Sequence, residues 1–223
     1  MNRRLIFPLV LGISGCLVLL GLGDWQMQRL QWKQGVLAQI GERIAEAPAD
    51  LPATATEATD EYRTVKVSGN LLEQPVHVLT SQRPEGPGFR VIQPLMLETG
   101  RRILVDLGFV PETRKNDRAF VGDVSVTGSL LWPDETDSFT PAPNLQKNIW
   151  FARDLPAIAE VLGTDPVLIV ASETFPALAP RLTPVTINIA NDHFGYAVTW
   201  FSLAAVWGMM TGYALWRIRR RID

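Results

Sequence analysis

A chain of 223 residues, 47% apolar and with a formal net charge of −2, suffices for one principal domain and has no basic excess to attract nucleic acid. A single cysteine excludes an internal disulfide, so stability must come from packing. The apolar residues are clustered, and where they cluster decides the class of protein.

Leu5 to Gly23 carries no charge, and neither does Phe194 to Trp216. Each reaches the roughly 20 residues that cross a bilayer as a helix. Arg3 and Arg4 ahead of the first run also describe a signal peptide, and "ISGC" (Ile13 to Cys16) has the small residues and cysteine of a lipoprotein cleavage site. The apolar run continues past Cys16 into "DWQMQRLQWK", where a mature secreted chain would begin polar, so an uncleaved anchor is expected. Cys16 itself reads as a small buried residue.

Basic residues set the orientation. Arg3 and Arg4 precede the first span, and Arg217, Arg219, Arg220 and Arg221 follow the second, so both termini are expected in the cytoplasm. The net-acidic segment between them is then extracytoplasmic. With no targeting presequence ahead of the first span, a bacterial inner (plasma) membrane is expected rather than an organelle.

After the first span the pattern stays helical from Trp25 to about Ala47, with Trp25, Arg29, Trp32 and Val36 on one stripe, until Pro48 stops it. "PADLPATATEATDE" reads as a linker. From Tyr62 the period becomes two. "YRTVKVSGNLL", "VHVLTS", "FRVIQPLML", "RILVDLGFV" and "VSVTGSLLW" follow one another at short spacing, which favours antiparallel pairing, and Pro94 in the third suggests an edge or a bulge. "DLPAIAEVLG" is a helix with Asp154 as N-cap and Gly163 as stop. "PVLIVASE" and "PVTINIA" are two further strand candidates.

The fold class is an α+β membrane protein: two transmembrane helices flank a β-rich, mainly antiparallel extracytoplasmic domain with one or two helices. The expected divisions are 1–23 (cytoplasmic N-terminus and first span), 24–47 (helical extension), 48–61 (linker), 62–191 (β domain), 192–216 (second span) and 217–223 (basic tail). Barrel and sandwich both fit the strand pattern.

Enzyme chemistry finds no footing. Neither His77 nor His193 sits in a nucleophile-and-base motif, "RPEGPGF" lacks the setting of a phosphate cradle, and Asp134, Glu135 and Asp137 belong to a Pro-rich surface loop. One Cys and scattered Met residues do not make a copper-delivery site. His77 alternates with Val76 and Val78, so it faces away from them as an exposed or hydrogen-bonded strand histidine.

His193, in "NDHFGYAVTWF", is different. It opens the second apolar helix, where the positive dipole end favours the neutral, metal-binding imidazole while Asp192 pulls the other way. Tyr196, Ala197 and Trp200 follow three, four and seven residues on and share its face. Such a group accommodates a porphyrin, with His193 as the metal ligand; the same residues also suit an interfacial belt.

Four motifs in order, "GDWQMQRLQWK", "GFVP" (Gly108 to Pro111), "NIWFARDL" and "NDHFGYAVTWF", resemble the Surfeit locus protein 1 family of cytochrome c oxidase assembly factors over nearly the whole chain. The resemblance implies a non-catalytic chaperone that binds heme a and assists its insertion into subunit I, with heme a synthase as a further partner and lipid around its spans. It maps the family's histidine onto His193 and its tryptophan onto Trp200, and sets Trp25, Gln26 and Arg29 where the first span emerges. His193 is then the axial ligand, Tyr196 and Trp200 porphyrin walls, and Arg29 either a propionate partner or a snorkelling charge; no second axial ligand is evident. Where the family commonly has an arginine before the glycine of "GFVP", this chain has Leu107, which puts in doubt any role for that charge. The rival readings are a scaffold that holds subunit I without touching heme, and a heme-modifying enzyme.

Overall fold

The apolar ends of the chain form its two longest helices, α1 (Arg3–Ala45) and α4 (His193–Arg220), in a computed structural model that describes residues 3–178, 180–185 and 192–221. Both are long and apolar enough to cross a membrane. The predicted helical extension after Gly23 is one uninterrupted helix with the first span. Contacts divide the chain into a helical pair built from α1 and α4 and a barrel unit, Ile40–Thr186.

In the helical pair, small residues of α1 receive large ones of α4. A Cβ on Gly15 would lie 2.3 Å from Trp207 Nε1, and one on Gly23 2.5 Å from the Phe201 ring. Trp207 Nε1 donates to the Gly12 carbonyl at 3.1 Å, and Ala197 and Ala204 are buried. Such close approach supplies dispersion that holds two apolar helices together. Cys16, expected as a small buried residue, is half-buried with its thiol directed at the Ala204 carbonyl. A Cβ at Gly208 would stand 3.6 Å from Cys16 Sγ. Under a mild oxidant, Gly208→Cys is therefore expected to close a disulfide with Cys16 and lose maleimide reactivity. Gly212→Cys, whose Cβ has nothing within 4 Å, should stay reactive.

The barrel unit holds six strands: β1 (Thr64–Leu71), β2 (Val76–Gln82), β3 (Gly86–Leu97), β4 (Arg102–Pro111), β5 (Gly122–Leu131) and β6 (Leu168–Phe175). Each coincides with a segment of period-two or continuously apolar sequence. The pairing β1–β5–β6–β4–β3 returns to β1, so the sheet is a closed five-stranded barrel with β2 added beside β3. Closure is tightest at Gly69, which faces Leu97 and whose Cβ would lie 2.3 Å from the Met96 carbonyl. "PVTINIA" reaches into residues outside those described.

Alternate residues fill two cores. Val65, Leu95, Ile103, Val105, Val126 and Ile169 point into the barrel. Leu104, Leu168 and Val170 point out, onto Ile158 and Leu162 of α3 (Leu155–Leu162). β4 and β6 are thus covered on both faces, which is why they read as apolar runs. Helix α3 begins and ends as its sequence predicts: Asp154 Oδ1 accepts from Ala157 N at 3.1 Å, and Gly163 takes the left-handed conformation at φ 63°.

The sheet is mainly antiparallel, as expected, and three details go beyond that reading or against it. β4 and β6 pair parallel, because the long β5–β6 connection, α3 included, lets β6 enter in the same direction as β4. Pro94 lies in an interior strand and away from the register shift at Arg90/Ile92. β3 passes there from β2, last paired at Ile92, to β1, first paired at Leu95, so the missing N–H breaks no ladder bond. Residues 48–61, read as a linker, are fastened to the barrel: Ala49 bridges to Val65, Leu51 and Ala55 pack on the core, and a short helix α2 (Glu57–Asp60) forms.

Candidate functional site

His193 is the first residue of α4, half-buried, with its Nδ1 2.8 Å from the amide oxygen of Gln26 on α1. An amide oxygen only accepts, so Nδ1 carries the proton and Nε2 keeps a free lone pair in the neutral ring. A metal-binding histidine is commonly held this way, its second nitrogen donating to an oxygen that fixes tautomer and ring plane. The arrangement therefore fits a metal that brings its other ligands with it, as a porphyrin iron does. Among the described residues no group of three or more His, Cys, Asp or Glu could hold a bare ion.

The other site residues predicted from sequence lie on the same two helices. Ala197, one turn beyond His193, is buried, while Trp200 is half-buried and Tyr196 is 58% exposed. Trp25 is 54% exposed. The Arg29 guanidinium lies 4.3 Å from the centre of the Trp32 ring on its own helix, a cation–π pair rather than an ion pair. Among the described residues, no hydrogen bond, ion pair or ring contact joins Trp25, Arg29, Tyr196 or Trp200 to His193. What they share is a set of exposed aromatic faces and one cation on the two helices that carry His193 and Gln26.

His77 takes the hydrogen-bonded of the two states expected for it and is buried. Asn148 Nδ2 lies 3.1 Å from its Nδ1 and also donates to the Pro75 carbonyl, and Phe89 meets the ring edge-on. Burial, with the Lys115 charge adding to it, lowers its pKa to about 4. The unfolded histidine takes a proton near 6.5 and the folded one only near 4, so acidification through that window favours unfolding. Between pH 7 and 4 the melting temperature of the wild type is expected to fall more than that of His77→Gln, as followed by circular dichroism.

A second polar cluster went unnoticed in the sequence. Asp106 in β4 is fully buried; Arg90 Nε is 2.6 Å from its Oδ2, Arg153 Nη1 is 3.7 Å from the same atom, and Gly108 N donates to Oδ1 at 2.9 Å. Arg153 also pairs with Glu135. Burial pushes the Glu135 carboxyl up, but the Arg153 hydrogen bonds and charge outweigh it and leave it below its ordinary value. Gly108 has φ 101° and passes so near the Arg181 carbonyl that a Cβ would lie 2.1 Å from it. Only glycine fits there, which is the physical content of "GFVP". "NIWFARDL" is likewise structural: Trp150 covers the free edge of β2 through bonds to His77 and Leu79, Arg153 joins the Asp106 cluster, and Asp154 caps α3. Leu107, the residue before Gly108, is packed in the barrel core.

The SURF1 family model matches residues 14–205, covering most of α1, the whole barrel and the N-terminal part of α4. The chain belongs to the SURF1 family. It is 33% identical to Surfeit locus protein 1 of Rattus norvegicus over 210 residues, 83% of this chain and 68% of that one. Surfeit locus protein 1 of Homo sapiens is 32% identical over 83% of this chain and 70% of its own. A SURF1-like protein of Monosiga brevicollis is 32% identical over 94% and 86%. Membership in the SURF1 family implies a part in cytochrome c oxidase assembly and fits a membrane protein. Both Gln26 and His193 fall within the SURF1 match.

Proposed function

We propose that this protein is a heme a-binding assembly factor that assists insertion of heme a into subunit I of cytochrome c oxidase, and that it is not an enzyme. The observation that carries the reading is the Gln26–His193 pair, which leaves Nε2 as a free donor at the entry of an apolar helix. Heme a would supply an iron that takes a nitrogen ligand. His193 would hold it, and Gln26 would fix the tautomer and plane of the imidazole. The flat faces of Tyr196, Trp25 and Trp200 offer apolar contact, and Arg29 offers a cation to a carboxylate if it leaves Trp32. In this reading α1 and α4 span a bacterial inner membrane with both termini cytoplasmic and the barrel periplasmic. Heme a synthase is the proposed source of the cargo and subunit I its destination.

A scaffold that stabilises subunit I without holding heme is the second reading. The exposure of Trp25, Trp32 and Tyr196 favours it, since exposed aromatics where an apolar span gives way to polar sequence are what an interfacial belt requires. The visible spectrum of protein purified from cells that make heme a separates the two. A Soret band absent from the same protein made without heme a synthesis is expected, together with co-purification of subunit I. Co-purification with no pigment would leave the scaffold alone.

A further inference from the structure

The barrel unit contains a cavity of about 370 Å³ beside β2, β3 and β4, and neither Gln26 nor His193 lines it. That volume lies within the ~300–1,000 Å³ of small-molecule sites, which are apolar inside with a few polar groups that converge on one end. Its walls have this form. Val91, Leu107, Val110, Phe120 and Leu178 line it with hydrocarbon, and Arg114, Lys115 and Arg118 stand around it on the loop after β4.

The charges there are not balanced. Asp117 is the only acid among the described lining residues, and it is taken up by Arg114 Nε at 2.7 Å. Lys115 gives its ammonium to the Lys147 carbonyl and stands 5.0 Å from the centre of the Phe89 ring, with no acidic partner among the described residues. Arg118 is exposed and has no hydrogen bond or ion pair among the described residues. Two residues that line an apolar cavity thus carry positive charge with no acidic partner among the described residues.

His77 adds a neutral donor. Asn148 Nδ2 can only donate, so His77 Nδ1 accepts and the ring proton sits on Nε2. Nε2 has no hydrogen-bond partner among the described residues, and His77 lines the cavity. An acceptor with negative charge offers this N–H a partner and both cations a counter-charge; a neutral apolar guest offers neither.

We propose that this cavity is a binding site for a single-tailed amphiphilic carboxylate of the fatty-acid class, its head group held by Arg118, Lys115 and His77 and its tail by the apolar wall. The site requires nothing of the heme reading, and the two fail independently.

The test uses the full chain in lipid nanodiscs, irradiated with a diazirine analogue of dodecanoate and mapped by peptide mass spectrometry. Label is expected on the peptides of residues 107–121 and 177–180. Excess dodecanoate should suppress it and dodecanol should not. Arg118→Glu should reduce it roughly tenfold, the loss of a charge-assisted hydrogen bond. Ala119→Trp, on the cavity wall in the same surface loop, should abolish it by filling the space, and supports the proposal even where the charge variant misfolds. Label confined to α1 and α4, or equal competition by dodecanol, would overturn the proposal.

Discussion

His193→Ala purified from cells that make heme a is expected to carry no Soret band, whereas Gln26→Leu should keep one with affinity lowered about 10–100-fold, the usual cost of removing the oxygen behind a metal-binding histidine. Alanine deletes the one nitrogen that the two long helices offer to a metal. Leucine leaves that nitrogen but frees the ring to rotate and to place its proton on Nε2, where it blocks coordination. Gln26→Glu, which still accepts from Nδ1, should bind at least as well as wild type. An interfacial-belt role for His193 predicts no such order, because a headgroup-level histidine does not depend on which ring nitrogen is protonated. Undiminished pigment in His193→Ala would sink the ligand role outright. Equal pigment in Gln26→Leu and wild type would leave His193 as a ligand but remove Gln26 as its positioning partner.

The elements of this fold are written locally, and the closure of the barrel is not. β1, β2 and β5 alternate, and α3 carries its own cap and stop in Asp154 and Gly163, so nearest-neighbour chemistry predicts each. Which strand lies beside which depends on contacts between distant residues. Gly69 opposite Leu97 and Leu104 opposite Leu168 have no signature within a single window of sequence, and barrel against sandwich could not be decided before the pairing was known. Pro94 shows the same limit. Its effect on a strand depends on which neighbour its nitrogen would have faced, and that neighbour changes at this point in β3.

The candidate site divides in the same way. Helical spacing put His193, Ala197 and Trp200 on one line, and Ala197 is indeed buried between the helices. The identity of the group at Nδ1 is non-local, since Gln26 lies in the first helix. Arg29 was legible as a cation at that level, but its stacking on Trp32 follows from an i, i+3 contact that competes with any anion. Asp106 did leave a mark, a lone carboxylate in "RILVDLGFV", and a charge in a strand apolar on both faces calls for a buried cation. Arg90 and Arg153 supply it from separate elements.

Asp106→Asn is expected to destabilise the barrel by about 3–5 kcal/mol, the cost of removing one partner from a buried ion pair. The substitution changes almost no volume, so the effect isolates charge. Asparagine still accepts from Gly108 N, but Arg90 and Arg153 then lie partly buried, with side chains 17% and 14% exposed, and no anion between them. Glu135 cannot compensate fully, because its hydrogen bonds go to Arg153, it acts on Arg90 only through charge, and it is itself partly exposed. At roughly 2–4 °C per kcal/mol for a unit of this size, the melting temperature should fall by about 10 °C. The triple change Asp106→Leu with Arg90→Met and Arg153→Met should recover most of that loss, since hydrocarbon of similar volume often serves a buried site as well as an ion pair does. Melting within a degree of wild type for Asp106→Asn would mean that water screens the cluster and that the packing of β4 against α3 alone sets its stability.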